Sequence, residues 1–421
     1  MDSGVKCIAE NYRISKKVEG ELYMAMSKFG LIGGHLKHSF SKEIHKRFGN
    51  YEYDLLETTE DQLYDRIHSS EYAGFNVTIP YKKTAMGMCD EISEEVMKIG
   101  SVNTIVKREG VIKGYNTDYY GFAYLLKRNE IDVTGRKCLV LGSGGASVTV
   151  QAYLKDHKAS EIIVVSRTGE NNYDNIYEKH TDSEIIINTT PVGMYPDNGK
   201  TLISVDKFPA LVGAVDVIYN PNKTKFILDA LSNGITACGG LSMLVAQAKA
   251  ASELFQNKTI DDDEVDIAIE EIRSETLNYV LIGMPGAGKT YLGRKMAERV
   301  GRDFYDLDDL IVEKEGRSIP EIFATDGEEY FRNVETELLK EVCKKNGIVL
   351  ACGGGVVKRQ VNYSIVKQNG RIIWVKRDLD KLETEGRPIS QKKSVYEIFE
   401  ERKDAYEYWS DYFIDNNQDF N

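Results

Sequence analysis

Short apolar, β-branched runs alternate with longer amphipathic stretches along most of the chain. KFGLIG (28–33), YEYDLLE (51–57) and AGFNVTI (73–79) predict strands, while the stretches after 41, around 60–68 and after 81 predict helices. That alternation points to an α/β sheet with parallel strands. A second series runs from RKCLVLG (136–142) through a helix from about 145 to EIIVVS (161–166), then EIIINTT (184–190) and AVDVIYN (214–220). Continuous apolar runs of this kind suit strands buried on both faces. LSMLVAQAKAASELF (241–255) predicts a long helix, and 256–276 a closing helix with an acidic first turn. A third series opens at NYVLIGMPGAGKT (278–290), with further strands near 303–306, 348–352 and 371–375. Residues 1–28 are polar and weakly patterned, an arm with no assigned role.

Length and charge narrow the reading. A chain of 421 residues suits two to three domains. Its net charge of −12 offers no basic stripe for nucleic acid, which leaves small-molecule partners. No apolar run reaches the roughly 18–20 residues that span a bilayer. The first twenty residues lack the apolar centre of a signal peptide. Cys7, Cys89, Cys138, Cys238, Cys343 and Cys352 are scattered without a CxxC pair, as expected of reduced thiols in a cytoplasm. The pair in HLKH (35–38) has no third ligand at fixed spacing, and the acidic run 261–264 reads as a helix start.

Candidate chemistry sits at the strand ends. In GSGGAS (142–147), Gly142 permits a tight turn, while Gly144 and Gly145 let a pyrophosphate approach a helix N-terminus. After the next strand stand Ser166, Arg167 and Thr168 in place of the acidic residue that holds NAD ribose, so NADP is favoured. Before that loop, Ser39 and Ser41 open a helix, and Asn76 and Thr78 share one strand face. Lys82 follows Pro80, and Asn103, Asn116 and Asp118 lie in SVNT and YNTD. Singly, each suits a turn or a cap; together, just beyond strand ends, they suit a ligand.

GMPGAGKT (283–290) fits the phosphate-binding loop G-x-x-x-x-G-K-[ST] in full, between a strand and a helix. Its amides would cradle phosphate, Lys289 would reach the β and γ groups, and Thr290 would ligate Mg²⁺. DLD supplies Asp306 and Asp308. Arg332 and Glu335 stand at helical i,i+3 spacing, a pair that could equally lie on a solvated helix face. CGGG (352–355), GRPI with Arg387 and ERKDAY with Arg402 complete the set.

The linked motifs GLIGGHLKHSFS, GFNVTIPYK, SVNT, NTD, LGSGGAS, SRT, INTTPVGM, DVIYNP and GGLSMLVAQ resemble shikimate dehydrogenase over roughly residues 28–275. The resemblance implies NADPH-dependent reduction of 3-dehydroshikimate to shikimate. It implies that Ser39, Ser41, Asn76, Thr78, Asn103, Asp118, Tyr219 and Gln247 hold the substrate and that Lys82 and Asp118 are the catalytic pair. Gly142, Ser143, Gly144, Gly145, Ala146, Ser166, Arg167, Thr168, Thr190, Val217 and Gly240 would line the NADP site. Two departures are Lys42, where the family usually has proline, and GENNYD after Thr168, which lacks a second basic residue.

Residues of roughly 277–415 resemble shikimate kinase. That resemblance implies ATP held by Gly286, Ala287, Gly288, Lys289, Thr290, Tyr291 and Arg387, with Mg²⁺ on Thr290 and Asp306. Asp308 would be the base on the acceptor hydroxyl, and Arg332, Gly353, Gly354, Gly355 and Arg402 would clamp shikimate. The lid stretch LDKLETEGRPIS is short and lacks an arginine that many members use near adenine.

The expected architecture is α/β throughout. It comprises an arm (1–28), a substrate-binding domain (29–118, completed by the helix 241–276), a Rossmann-like NADP domain (119–240) and a P-loop kinase domain with a parallel sheet (277–421). The expected function is bifunctional, in a monomer or homodimer. The alternatives are a quinate/shikimate dehydrogenase using NAD fused to the kinase, or one half serving as a non-catalytic sensor.

Overall fold

The computed structural model describes residues 27–36, 39–382 and 394–417. The arm and Arg387 therefore lie outside the described residues, apart from Ser27 and Lys28. The chain divides into two compact units. One holds the described residues up to Thr190, with Ser204–Val217 and Gly234–Ile269; the other holds Pro191–Ile203, Ile218–Asn233 and Glu270 onward.

The first unit contains two sheets. Strands β1 (Lys28–Gly33), β2 (Glu52–Glu57), β3 (Gly74–Val77), β4 (Glu91–Ile92), β5 (Thr104–Arg108) and β6 (Val111–Tyr115) form one sheet in the order β2-β1-β3-β5-β6-β4. Only part of it is parallel: β1 pairs in parallel with β2 and β3, but β5 runs antiparallel to both β3 and β6. The reason is local. Glu109 and Gly110 carry φ of +53° and +80°, the left-handed pair that closes a two-residue hairpin, so β6 returns beside β5 without a helical crossover.

Helices α1 (Ser41–Phe48), α2 (Leu63–His68), α3 (Lys82–Met86) and α4 (Glu94–Ile99) surround this sheet. Its core includes Ile32, Leu63, Ile67, Phe75, Val96, Val102 and Ile105, all fully buried.

The second sheet is entirely parallel. Helix α5 (Asp118–Arg128) leads to β7 (Lys137–Leu141), α6 (Gly145–Asp156), β8 (Glu161–Val165), α7 (Ile176–Lys179), β9 (Ile185–Asn188), β10 (Gly213–Asp216), α8 (Lys225–Ser232) and β11 (Thr236–Cys238). The strand order is β11-β10-β9-β7-β8, so the chain reverses direction across the sheet between β7 and β9. In such sheets ligands bind outside the carboxyl ends of the strands at that reversal. All four residues of β9 are buried, as its run of isoleucines requires of a central strand. Helix α9 (Leu241–Gln256) returns to the first sheet, where Phe255 stacks on Phe29 at 4.3 Å. It also lies tightly on α5: a Cβ at Gly121 would stand 2.6 Å from Met243 O, so only glycine permits the approach.

The second unit is built on β12 (Asn278–Ile282), β13 (Phe304–Asp306), β14 (Val349–Ala351), β15 (Gly370–Lys376) and β16 (Tyr412–Asp415), parallel throughout in the order β13-β14-β12-β15-β16. Helix α10 (Asp263–Thr276) leads into it; α11 (Lys289–Val300), α12 (Leu307–Glu315), α13 (Ile319–Thr325), α14 (Gly327–Val342), α15 (Gln360–Lys367) and α16 (Val395–Trp409) follow. Ser318 and Ser394 open α13 and α16 with capping boxes completed by Glu321 and Glu397.

Segments 191–203 and 218–233 belong to this unit, although the sequence reading assigns them to the NADP domain. Three hydrogen bonds tie them there: Tyr195 Oη to Cys343 O at 3.0 Å, Asn198 Nδ2 to Gln368 Oε1 at 2.5 Å, and Lys223 N to Gln368 O at 2.9 Å. No helix among the described residues is long and apolar enough to cross a membrane. The five described cysteines are free thiols.

Candidate functional sites

In the first unit, α3 and α5 begin at residues of opposite charge. Lys82 Nζ donates to Asp118 Oδ2 at 2.5 Å, with side chains 14% and 11% exposed. The pair lies against the glycine loop, since a Cβ on Gly145 would stand 3.6 Å from Lys82 Cδ. Gly142 follows β7 with φ of +104°, and a Cβ there would meet Thr190 Cγ2 at 2.8 Å and Thr189 Oγ1 at 2.9 Å. Gly144, immediately before α6, has open space where its Cβ would be, as a backbone cradle for phosphate needs. Gly240 presses on Val217, whose carbonyl oxygen lies 2.1 Å from the Cβ position. Ser166 is half-buried, and Arg167 and Thr168 are exposed beyond the end of β8.

Asn76, Asn103, Thr104, Thr117 and Gln247 are joined in one hydrogen-bond network. Asn103 Oδ1 accepts Thr117 N at 2.7 Å, and Asn103 Nδ2 donates to Thr117 Oγ1 at 3.0 Å and to Gln247 Oε1 at 3.4 Å. Asn76 Nδ2 donates to Thr104 Oγ1 at 3.0 Å, and Asn76 Oδ1 accepts Tyr53 Oη at 2.7 Å. Ser39 Oγ donates to Ser41 Oγ at 3.1 Å. Asn116 is spent on structure, donating to Ser101 O at 2.9 Å. Thr78 falls just past β3 and is half-buried. Tyr219 belongs to the second unit.

Sequence reasoning missed Tyr53, Thr104, Thr117 and His45. The His45 ring stacks on Tyr53 at 4.0 Å, and its Nδ1 meets Tyr51 Oη at 2.6 Å. Burial holds this imidazole neutral, with its pKa lowered to about 3.

The loop 283–290 of the second unit wraps the start of α11. Gly286 and Gly288 take φ of +82° and +89°. Lys289 Nζ donates to Gly283 O at 3.1 Å and Met284 O at 2.9 Å, folded over its own loop. Thr290 Oγ1 donates to Asp306 Oδ2 at 2.7 Å, which brings together a hydroxyl and a carboxylate suited to Mg²⁺. The other Asp306 oxygen caps α12 by accepting Asp308 N at 3.0 Å.

Three consecutive glycines shape the acceptor side. A Cβ at Gly353 would fall 2.6 Å from Asp308 Oδ1, at Gly354 2.6 Å from Pro285 Cδ, and at Gly355 2.1 Å from Arg332 Nη2. Side chains there would displace the carboxylate and the guanidinium. Arg332 Nη1 donates to both Glu335 oxygens at 2.9 and 2.8 Å, and the two residues are 4% and 0% exposed. This pair is buried against the glycine turn rather than solvated. Arg402 Nη1 and Tyr406 Oη both donate to Gly354 O, at 2.9 and 2.5 Å. Arg402 Nε is buried without a partner among the described residues.

Burial raises the Asp308 carboxyl above its ordinary range, Asp306 adds to the shift, and Lys289 and Arg332 oppose it. Burial also raises Glu335, with Arg332 opposing.

A switch-point glycine loop facing a lysine–carboxylate pair defines a dinucleotide-dependent dehydrogenase, and a phosphate loop facing a basic acceptor cleft defines a small-molecule kinase. Residues 31–105 match the shikimate dehydrogenase substrate binding domain and residues 285–420 match shikimate kinase. The NADP(+) shikimate dehydrogenase of Clostridium perfringens (strain SM101 / Type A) is 37% identical over 269 residues, covering 59% of this chain and 99% of the relative. That of Clostridium beijerinckii is 40% identical over 257 residues, covering 56% and 94%. The solved chorismate mutase/shikimate 5-dehydrogenase fusion protein from Clostridium acetobutylicum aligns with a TM-score of 0.57 at 38% identity, covering 59% of this chain and 97% of that one. The chain belongs to the shikimate dehydrogenase family and carries a C-terminal shikimate kinase domain, a fusion of the two.

Proposed function

We propose that the chain catalyses two successive steps on one carbocycle: NADPH-dependent reduction of 3-dehydroshikimate, then MgATP-dependent phosphorylation of shikimate at its 3-hydroxyl. The observation that carries the reading is the Lys82–Asp118 pair at 2.5 Å beside the glycine loop, in a chain that also holds a complete phosphate loop.

The open backbone at Gly144 before α6 suits the phosphates of NADPH, which when bound would supply a hydride to the ketone carbon. The carbonyl oxygen then gathers negative charge. Lys82 stabilises that charge and gives up its proton, and Asp118 orients the ammonium. Ser39, Ser41, Asn76, Thr78, Asn103 and Gln247, all of the first unit, supply donors and acceptors for a polyol carboxylate. Arg167 and Thr168, exposed past β8, take the 2′-phosphate that distinguishes NADP.

In the kinase half, bound ATP would supply the phosphoryl group. Lys289 lies within its loop, and Thr290 and Asp306 would hold Mg²⁺ with the nucleotide. Asp308, made more basic by burial, takes the proton of the attacking hydroxyl. Arg332 and Arg402 flank the glycine turn where the acceptor carboxylate would bind, a fork suited to bidentate pairing. A cytoplasmic location fits both cofactors.

Purified chain assayed separately for NADPH oxidation by 3-dehydroshikimate and for ADP release with shikimate tests the reading. Both rates should be measurable. Absence of either would remove that half's assignment, and equal turnover of NADH would remove the NADP preference.

A further inference from the structure

Beyond the groups already assigned, one guanidinium beside the phosphate loop has a buried nitrogen with no partner among the described residues. Arg377 follows β15, the strand that pairs with β12, from which the loop springs. Its backbone is fixed from both sides, because Asn416 N donates to Lys376 O at 2.8 Å and Asp378 N donates to Asn417 Oδ1 at 2.7 Å. Asn416 reaches on to the loop, where its Nδ2 donates to Ala287 O at 2.7 Å. A Cβ at Gly288 would stand 2.4 Å from that nitrogen and 3.9 Å from Arg377 Nη1. The guanidinium therefore lies over the last glycine of the loop, one residue before Lys289 and the start of α11.

The neighbouring cation is already engaged, since Lys376 Nζ sits 4.2 Å from the ring centroids of both Trp374 and Phe413. Arg377 is not: its Nε is buried and unpartnered among the described residues. A half-buried guanidinium loses hydration that an anion would restore.

We infer that Arg377 is a further cationic contact, beside Lys289, for the phosphates of the nucleotide held at 283–290. The inference rests on reading that loop as the ATP site. The five N–H donors of arginine form a planar fork that grips phosphate oxygens.

Calorimetric titration of the full chain with ADP tests this without depending on the acceptor. Arg377→Ala should weaken ADP binding by about tenfold or more, the loss of a charge-assisted contact. KM for ATP should rise in parallel, with KM for shikimate within about twofold of the parent. Arg377→Lys keeps the stem and charge without the fork and should fall between, which keeps the test open if truncation to alanine disturbs the fold. ADP affinity of both variants within about twofold of the parent would overturn the inference while leaving the loop assignment intact. A parent chain that binds no ADP would overturn the loop assignment and the inference together.

Discussion

Lys82→Ala removes the group on which the reductive half depends. In the folded chain its ammonium lies 2.5 Å from Asp118 Oδ2, both side chains are nearly buried, and its stem touches the glycine loop. If Lys82 only held Asp118 in place, its loss would act on folding and substrate affinity. If it gives the proton to the developing alkoxide, the loss falls on the transition state. Positioned proton transfer contributes about 10²–10⁴-fold, or roughly 3–5.5 kcal/mol at 1.4 kcal/mol per decade. kcat for NADPH oxidation should fall by that factor while KM for 3-dehydroshikimate changes far less. Kinase activity measured on the same preparation reports the integrity of the other half and should match the parent. A fall of kcat smaller than about tenfold would refute the proton-donor role.

Lys289→Ala should do the converse: phosphorylation falls by at least about 10²-fold with NADPH oxidation retained, as coupled ADP release would show. Asp308 has a raised folded-state pKa, so the fold binds more protons than the unfolded chain above about pH 4, and its ionisation weakens stability as pH rises through the raised value. Asp308→Asn should therefore raise the melting temperature of the kinase transition at neutral pH while abolishing phosphorylation. His45 titrates at about 3 when folded and near 6.5 when unfolded. Stability of the first unit should fall as pH drops from about 6.5 towards 3, by up to about 1.4 kcal/mol per pH unit, and His45→Gln should flatten that slope in urea titrations.

The parts legible in the sequence are those whose chemistry is local. A strand, a glycine loop and a helix contiguous at 278–300 declare a phosphate site because each element needs only its neighbours. The isoleucine run of β9 and the helix at 241–256 are of the same kind. The hairpin between β5 and β6 leaves little mark in the sequence, because a turn built on Glu109 and Gly110 gives a weaker signal than Asn-Gly, and with it the antiparallel half of the first sheet is hidden. The network around the candidate substrate residues was invisible for another reason. Asn103 and Gln247 meet across 144 positions of chain, and Tyr51 and Ser252 across 201. Only packing brings them together. Arg332 and Glu335 show the limit of spacing arguments: i,i+3 placement is the same for a solvated pair and a buried one, and burial separates the two. Segments 191–203 and 218–233 group with the kinase half through Tyr195, Asn198 and Lys223, contacts that no local pattern encodes.

The central claim is that one chain reduces a ketone and then phosphorylates the alcohol it has made. Incubating the purified chain with 3-dehydroshikimate, NADPH and MgATP, and following NADPH absorbance together with product by mass spectrometry, addresses it directly. One shikimate 3-phosphate should form for every NADPH consumed at completion. NADPH oxidation that leaves shikimate to accumulate unphosphorylated, or no NADPH oxidation at all, would contradict it.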